Sequence, residues 1–302
     1  MLYDRVPRPF AHSLMHIPDA LLTLLDDGLI QEVIRPLKSG KEASVHLVVA
    51  EGRVCAAKVY KRLEQRNFRD RADYTEGRQV GDSRQQRAMD KGSRYGRTQR
   101  ETAWQGHEAD VMRRLQAAGV RVPAVHQLCD GVLLMDLITD ARGEPAPTLS
   151  TLRYERGDAL RDFDLLIRET VRILACGFIH GDLSEHNILL AKDGPVIIDL
   201  PQAIDAARNG NAKRLFLRDV NNLVRFFGRW ASELRRSDYG NEIWLHYQAN
   251  TLTPDVKLTG RVQAARHQAD AAIVLREIEN AKRDAAKREE IRQARASGVR
   301  RP

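Results

Sequence analysis

The sequence predicts an α+β fold made of two lobes, and three features of the chain lead to this expectation. The first half contains Val-rich runs that are typical of strands, grouped around one helix. A connector containing Gly143, Pro145 and Pro147 follows at residues 140–150. The second half is mostly amphipathic helix with one small β-element. This order is typical of a two-lobed nucleotide-binding enzyme.

Hydrophobic periodicity and turn residues predict the individual elements. In chain order they are a short helix at 18–28, a hairpin of Ala43–Ala50 with Arg53–Tyr60, a helix at Glu101–Ala118, a hairpin of Val125–Cys129 with Val132–Ile138, helices at Phe163–Cys176 and Leu215–Leu234, and a long charged helix at Gly260–Ser297.

Four segments follow from these elements. They are an N-terminal helical segment at 1–32, the first lobe at 33–140, the second lobe at 141–250 and a charged helical tail at 251–302. Inside the first lobe, residues of about 67–100 contain few apolar side chains, so we expect a mobile basic loop there.

The composition favours a protein without membrane contact. The chain has 302 residues and 42% apolar residues, but no apolar run approaches the roughly 20 residues that span a bilayer. No signal-peptide pattern follows the N-terminus. We therefore expect a cytoplasmic protein.

The net charge of +8 is concentrated in two stretches. Residues 61–100 contain twelve Lys or Arg against six Asp or Glu, and residues 276–302 contain nine against five. Local basicity predicts contact with an anionic partner, and a ribosomal particle or RNA would fit both stretches. Two solvated charged segments with no partner are the alternative.

The strongest chemical signal is the run from His180 to Asn187, which is followed by Asp199 after an apolar stretch. Phosphoryl transfer needs a carboxylate for the attacking hydroxyl and oxygen ligands for Mg²⁺. Asp182 would be the catalytic base, and Asn187 and Asp199 would be the metal ligands. Turn and strand-end roles for these residues are the alternative interpretation.

Lys58 is the second signal, because it lies inside an apolar strand where an unpaired ammonium is costly. A phosphate and a carboxylate would stabilise it. Glu108 on the following helix is the preferred carboxylate, and Glu101 is the second choice. An edge-strand lysine that points to water is the alternative.

A weaker signal is the turn that contains Ser39, Gly40 and Lys41, whose backbone N–H groups could bind phosphates. It is not a Walker A loop, since the spacing of glycines is wrong and Glu42 follows the lysine. An ordinary surface turn is equally consistent with this pattern.

Taken together, these motifs resemble the RIO family of atypical serine/threonine-protein kinases. The resemblance rests on Ser39–Ala43, Ala57–Lys61, His180–Asn187 and Ile198–Gln202, and it extends from about residue 33 to about 235. It implies a kinase-like fold with a trimmed C-terminal lobe and a Mg²⁺- and ATP-dependent kinase that phosphorylates serine or threonine, with Mn²⁺ as the alternative metal.

The resemblance also implies roles for single residues. Ser39, Lys41, Lys58 and Glu108 would contribute to nucleotide binding, and adenine would contact Met135 and the backbone around Asp136 and Ile138. Asp199 could itself accept a phosphate. Candidate autophosphorylation sites in the basic loop are Ser83, Ser93 and Thr98.

Departures from ordinary protein kinases leave the acceptor open. Gly181 replaces the usual arginine before the catalytic aspartate, and the chain after Asp199 is short for peptide docking. An ATPase that acts as a switch on ribosomal particles, an RNA- or ribosome-binding scaffold that senses nucleotide, and a small-molecule kinase of the aminoglycoside type are the other candidates.

Overall fold

A computed structural model of the chain describes residues 17–40, 42–61 and 94–262, with the side chains of 94–105 not described. Lys41, Ser83, Ser93 and most of the predicted basic loop and tail lie outside the described residues. The chain divides into two compact units. The first contains the described residues up to Leu149 together with Asn187–Ala203, and the second contains Ser150–His186 and the described residues from Ile204 onward.

The described helices and strands are numbered in chain order. Up to residue 150 they are α1 Asp19–Asp26, β1 Glu32–Ser39, β2 Ala43–Ala50, β3 Arg53–Tyr60, α2 Arg94–Ala117, β4 Val125–Cys129 and β5 Val132–Asp136. After residue 150 they are α3 Arg156–Ala175, β6 Phe178–Ile179, β7 Ile188–Ala191, β8 Gly194–Ile197, β9 Ile204–Asp205, α4 Ala212–Phe227 and α5 Tyr239–Gln248. Short 3₁₀ turns lie at Leu149–Thr151 and Ser232–Arg236.

The first unit is built on a five-stranded antiparallel sheet in the order β1-β2-β3-β5-β4. Both predicted hairpins are confirmed. Their turns, Glu51-Gly52 and Asp130-Gly131, have positive φ at both residues, as two-residue hairpin turns that match the strand twist require. Leu21 and Leu24 of α1 pack with core residues of the sheet, so the predicted N-terminal helix belongs to the core of this unit.

Several predicted boundaries were wrong. Helix α2 begins at Arg94, so the last part of the predicted loop, including Thr98, is helical. This first part of the helix is polar and shows no hydrophobic periodicity, although it includes residues with good helix propensity. Helix α3 begins at Arg156, before the first apolar residue of its buried stripe. Helix α4 ends at Phe227, earlier than the predicted Leu234. Gly228 follows, at a position where a Cβ would lie only 2.7 Å from the carbonyl oxygen of Val224.

Among the elements of eight or more residues, strand β1 and helix α5 were not predicted at all. Strand β1 contains Pro36 and two irregularities of register, which is typical of an edge strand and hides its alternation. Helix α5 carries mixed polar and aromatic residues.

In the second unit, four aromatic rings at the end of α4 form a cluster with centroids 4.9–6.1 Å apart, and this packing fixes the end of the helix. The rings are those of Tyr154, Phe226, Phe227 and Trp230. Within the described ranges, no helix is long and apolar enough to cross a bilayer.

Candidate active site

Lys58 lies on β3 in the middle of the antiparallel sheet, and it is only 6% exposed. Its Nζ lies 2.7 Å and 3.0 Å from the two carboxylate oxygens of Glu108 on α2. A buried ammonium would be costly without such a partner. The predicted contact with Glu108 is therefore confirmed, whereas the side chain of Glu101 lies outside the described residues.

The carboxylate of Glu108 also accepts two further hydrogen bonds. The hydroxyl of Tyr60 donates to Oε2 at 2.6 Å, and the backbone N–H of Leu200 donates to Oε1 at 3.1 Å. Glu108 thus joins β3, α2 and the segment after β8. Sequence reasoning missed Tyr60, although strand alternation places it on the same face of β3 as Lys58.

Asp199 is the second carboxylate at Lys58. Its Oδ1 lies 2.6 Å from Nζ, and its side chain is 45% exposed. The backbone of Asp199 has a φ of 67°, a left-handed conformation that is uncommon outside glycine and costs about 1–3 kcal/mol. The surrounding structure holds this strained residue with its carboxylate against the lysine.

Lys58 stays positively charged in this environment. Burial by itself lowers the pKa of Lys58, but the carboxylates of Glu108 and Asp199 outweigh burial and hold that pKa above its usual value. The result is a fixed cation beside a half-exposed carboxylate. Such a cation can bind phosphate oxygens.

Asn187 and Asp199 lie at the open end of the hairpin formed by β7 and β8. Ile188 pairs with Ile197, and the N–H of Ile198 donates to the carbonyl oxygen of Asn187 at 3.0 Å. Their amide and carboxylate oxygens are donors that suit a hard divalent cation. Among the residues that the structure describes, no group of three His, Cys, Asp or Glu side chains could hold a metal.

The predicted adenine segment lies at the end of β5, where Met135 pairs with Ala56 of β3. The N–H of Asp136 donates to Ala124, and the carbonyl oxygen of Ile138 accepts from Ala146, both at 2.9 Å. The contact of adenine with the backbone around Asp136 and Ile138 stays a prediction.

Both backbone groups of Gly40, in the predicted phosphate-binding turn, already make hydrogen bonds within the chain. Ser39 ends β1, and the N–H of Gly40 donates to the carbonyl oxygen of Ala43 at 2.8 Å. The ammonium of Lys61 donates to the carbonyl oxygen of Gly40 at 2.6 Å. The N–H of Gly40 is therefore used in closing the hairpin, and phosphate binding by Ser39 and Lys41 stays a prediction.

Asp182 belongs to the second unit and is exposed, whereas its neighbours Gly181 and Leu183 are buried. Gly181 has a φ of 82°, which favours glycine over the arginine of ordinary kinases. The backbone N–H of Asp182 donates to Nδ1 of His180 at 3.3 Å. The loop thus presents one carboxylate to solvent from a buried backbone.

Helix α4 supports this loop with residues that sequence reasoning missed. The carboxylate of Asp219 accepts the N–H groups of Gly181 at 2.8 Å and Leu183 at 3.1 Å. Burial raises the pKa of Asp219 to about 7, although these two N–H groups favour the charged form. The guanidinium of Arg218 donates to the carbonyl oxygen of Gly181. A lone acidic residue at the centre of an apolar helical stripe was the available signal.

Comparison with known proteins gives a consistent result. A family model described as the RIO domain matches residues 44–239. The RIO-type serine/threonine-protein kinase Rio1 of Haloferax volcanii is 34% identical over 216 residues, covering 71% of this chain and 69% of the relative. Its counterpart in Methanocaldococcus jannaschii is 32% identical over 210 residues, covering 69% and 67%. The kinase rio1 of Schizosaccharomyces pombe is 32% identical, and this chain spans 41% of its length.

Proposed function

Because this chain belongs to the RIO family of serine/threonine-protein kinases, we propose that Lys58, Glu108, Asn187, Asp199 and Asp182 carry phosphoryl transfer from ATP to a protein hydroxyl. The observation that supports it best is the buried Lys58 ammonium between two carboxylates. Such a buried ion pair adds little to stability compared with an apolar core. It suits a site that must bind the phosphates of a nucleotide.

Lys58 would bind oxygens of the α- and β-phosphates. Its contact with the half-exposed Asp199 would then give way to the nucleotide, while its contact with the buried Glu108 would remain. Glu108 keeps its place because Tyr60 and the N–H of Leu200 also bind it. The lysine therefore has one permanent partner and one exchangeable partner.

Asn187 and Asp199 would hold the divalent metal ion through their side-chain oxygens, and we propose Mg²⁺ as that ion, with Mn²⁺ as the alternative. When bound, the metal neutralises charge on the phosphates. The backbone contact between Ile198 and Asn187 keeps the two ligand residues in register at the end of the hairpin.

Asp182 would accept the proton of a serine or threonine hydroxyl. The hydroxyl oxygen forms a bond to the γ-phosphorus, and the bond from that phosphorus to the bridging oxygen breaks, so that ADP leaves. The hydrogen bonds from Gly181 and Leu183 to Asp219 fix the backbone on both sides of the base. Adenine would bind beside Met135.

The test is incubation of the full chain with γ-labelled ATP and either Mg²⁺ or Mn²⁺, in the presence of a mixed protein substrate. We expect label on serine or threonine that disappears in Asp182→Ala, with Mg²⁺ supporting transfer. A label that is labile to hydroxylamine would place the phosphate on a carboxylate such as Asp199. Equal labelling by wild type and Asp182→Ala would contradict the assignment.

A second candidate is an ATPase that acts on a ribosomal particle or RNA, and the local charge surplus of residues 61–100 and 276–302 favours it. Binding through these stretches should weaken steeply as salt rises. Co-sedimentation with ribosomal subunits at two salt concentrations tests it, with the chain lacking 276–302 as the comparison. Release of free phosphate without labelled protein would favour this candidate over the kinase.

A further inference from the structure

The hairpin of β7 and β8 carries both proposed metal ligands, although its own sequence is a weak scaffold. Each of its strands has four residues, and an isolated two-stranded hairpin is at best marginally stable. Strand β8 begins with Gly194 and Pro195, which are both poor strand formers, and proline has no N–H to pair. Contacts from outside the hairpin therefore have to hold β8 in place.

Arg121 makes such contacts with β8. Its Nε donates to the carbonyl oxygen of Pro195 at 2.9 Å, and a terminal nitrogen of its guanidinium donates to that of Gly194 at 3.2 Å. The carbonyl oxygen of Arg121 accepts the N–H of Ile197 at 2.9 Å. Arg121 thus binds the first, the second and the last residue of β8.

The segment that contains Arg121 is itself well anchored. It lies between α2 and β4, and the neighbouring residues Val120 and Val122 are buried. The N–H of Val120 donates to the carbonyl oxygen of Leu115 on α2 at 3.0 Å. Arg121 therefore connects β8 to the end of α2, the helix that also carries Glu108.

Strand β7 is held by a different segment of the first unit. The N–H of Leu190 donates to the carbonyl oxygen of Pro147 at 2.9 Å, and Leu189 forms a β-bridge with Thr148. These are backbone contacts, which a change of side chain leaves in place. The guanidinium of Arg121 is a side-chain contact, so its substitution should loosen β8 while β7 stays held.

The contacts of Arg121 lie next to Asp199 in the chain. Ile197 ends β8, and Asp199 follows two residues later. On the other side of Asp199, the N–H of Leu200 donates to Glu108 at 3.1 Å. Asp199 thus lies between two anchors, and its φ of 67° requires them, because a strained backbone persists only where the surrounding structure fixes it.

The pair of side-chain contacts is specific to arginine. Its two acceptors are neutral backbone carbonyls of adjacent residues. A planar guanidinium can donate to both at once, whereas the ammonium of lysine is a compact donor on a flexible stem. Arg121→Lys should therefore keep the charge and lose part of the contact.

We propose that Arg121 is a positioning residue, which acts through β8 to hold the oxygens of Asp199 and Asn187 for a divalent metal ion bound with the nucleotide. This inference rests on the proposed function, because it needs a metal ion at these two side chains. The N–H of Ile198 donates to the carbonyl oxygen of Asn187 at 3.0 Å. A displacement at the end of β8 would therefore reach both ligands.

The test uses Mn²⁺ as a paramagnetic probe, since carboxylate and amide oxygens suit it as they suit Mg²⁺. The affinity of the full chain for Mn²⁺, with a non-hydrolysable ATP analogue bound, is followed by the relaxation rate of water protons. The affinity for the same analogue in EDTA is measured by calorimetry. Urea unfolding shows whether each variant is folded.

Arg121→Met should lower the affinity for Mn²⁺ by about tenfold, the lower end of the effect of residues that orient metal ligands, and change the affinity for the metal-free analogue less than about twofold. Arg121→Lys should lose less affinity for Mn²⁺. Arg172→Met is the control, because it removes a guanidinium that binds the buried Glu169 at 2.6 Å on α3. It should keep the wild-type affinity for Mn²⁺.

Two results would overturn the inference. If Arg121→Met is less stable but binds Mn²⁺ like wild type, Arg121 has a structural role only. If its affinities for Mn²⁺ and for the metal-free analogue fall by the same factor, it does not act on the metal ligands. Should Arg121→Met not fold, wild-type affinity for Mn²⁺ in Arg121→Lys would be equally decisive. The proposed function fails separately, if wild type with the analogue binds no Mn²⁺.

Discussion

Glu108→Gln is the most informative change in the first unit, because it keeps the shape of the side chain and removes its charge. The carboxylate is 1% exposed and accepts from Lys58, Tyr60 and the N–H of Leu200 at 2.6–3.1 Å. Glutamine keeps one acceptor oxygen, which can serve only part of this set. Its amide nitrogen would face donors.

The cost can be worked out from these contacts. Hydrogen bonds to a charged group contribute about 1.5–3 kcal/mol each, against about 0.5–1.5 kcal/mol for neutral partners. Weakening the bonds from Lys58 and Tyr60 should therefore destabilise the protein by about 2–4 kcal/mol. Removing one partner of a buried pair costs about 3–5 kcal/mol, and the value should lie toward the lower end because Asp199 still pairs with Lys58.

Urea unfolding of the full chain measures this loss, and titration with ATP measures the accompanying loss of affinity. Asp110→Asn is the matched control, because Asp110 is an acidic residue of the same helix and its side chain is 73% exposed. It should change the free energy of unfolding by less than about 0.5 kcal/mol. If Glu108→Gln behaves like Asp110→Asn in both measurements, Glu108 does not hold Lys58 as described.

Three further predictions concern residues that hold the site or the end of the described chain. Tyr60→Phe should lower the free energy of unfolding, measured with urea, by about 1.5 kcal/mol. This loss should not add to the loss caused by Glu108→Gln, because both variants change the same hydrogen-bond network. Full additivity in the double variant would contradict the contact between Tyr60 and Glu108. Burial raises the pKa of Asp219 to about 7 from 3.8, so its proton contributes stability that is full below about pH 4 and is lost as pH rises through about 7. Asp219→Asn should remove this pH dependence of the free energy of unfolding. An equal pH dependence in both proteins would refute the raised pKa. Glu242 is 1% exposed and accepts two hydrogen bonds from Thr259, both at 2.8 Å. Glu242→Ala should therefore lower the free energy of unfolding by about 2–4 kcal/mol. A loss below about 0.5 kcal/mol would show that these hydrogen bonds do not hold the segment around Thr259.

Local chemistry made much of the first unit predictable. The hairpins turn at Glu51-Gly52 and Asp130-Gly131, where Gly52, Asp130 and Gly131 are residue types that adopt a positive φ readily. Lys58 was predictable because an ammonium in an apolar strand needs a partner, and Glu108 lay on the next helix. The turns and the need of Lys58 for a partner each depend on one residue and its immediate neighbours.

The remaining features depend on contacts between distant parts of the chain. Asp219 lies 38 residues after Gly181, and no local pattern pairs its carboxylate with that N–H group. The turn that contains Gly40 was left open between phosphate binding and an ordinary surface turn, because the turn alone does not reveal that hairpin closure uses the N–H of Gly40. The start of α3 at Arg156 was missed since its first turn is charged.

The most direct test of the central claim measures ATP binding and phosphoryl transfer in the same preparations of wild type, Asp182→Asn and Lys58→Met. Asp182→Asn should bind ATP nearly as well as wild type and transfer phosphate about 10²- to 10⁴-fold more slowly. Lys58→Met should lose affinity for ATP, because the buried cation is gone. Transfer by Asp182→Asn at the wild-type rate, or unchanged ATP affinity in Lys58→Met, would contradict the account.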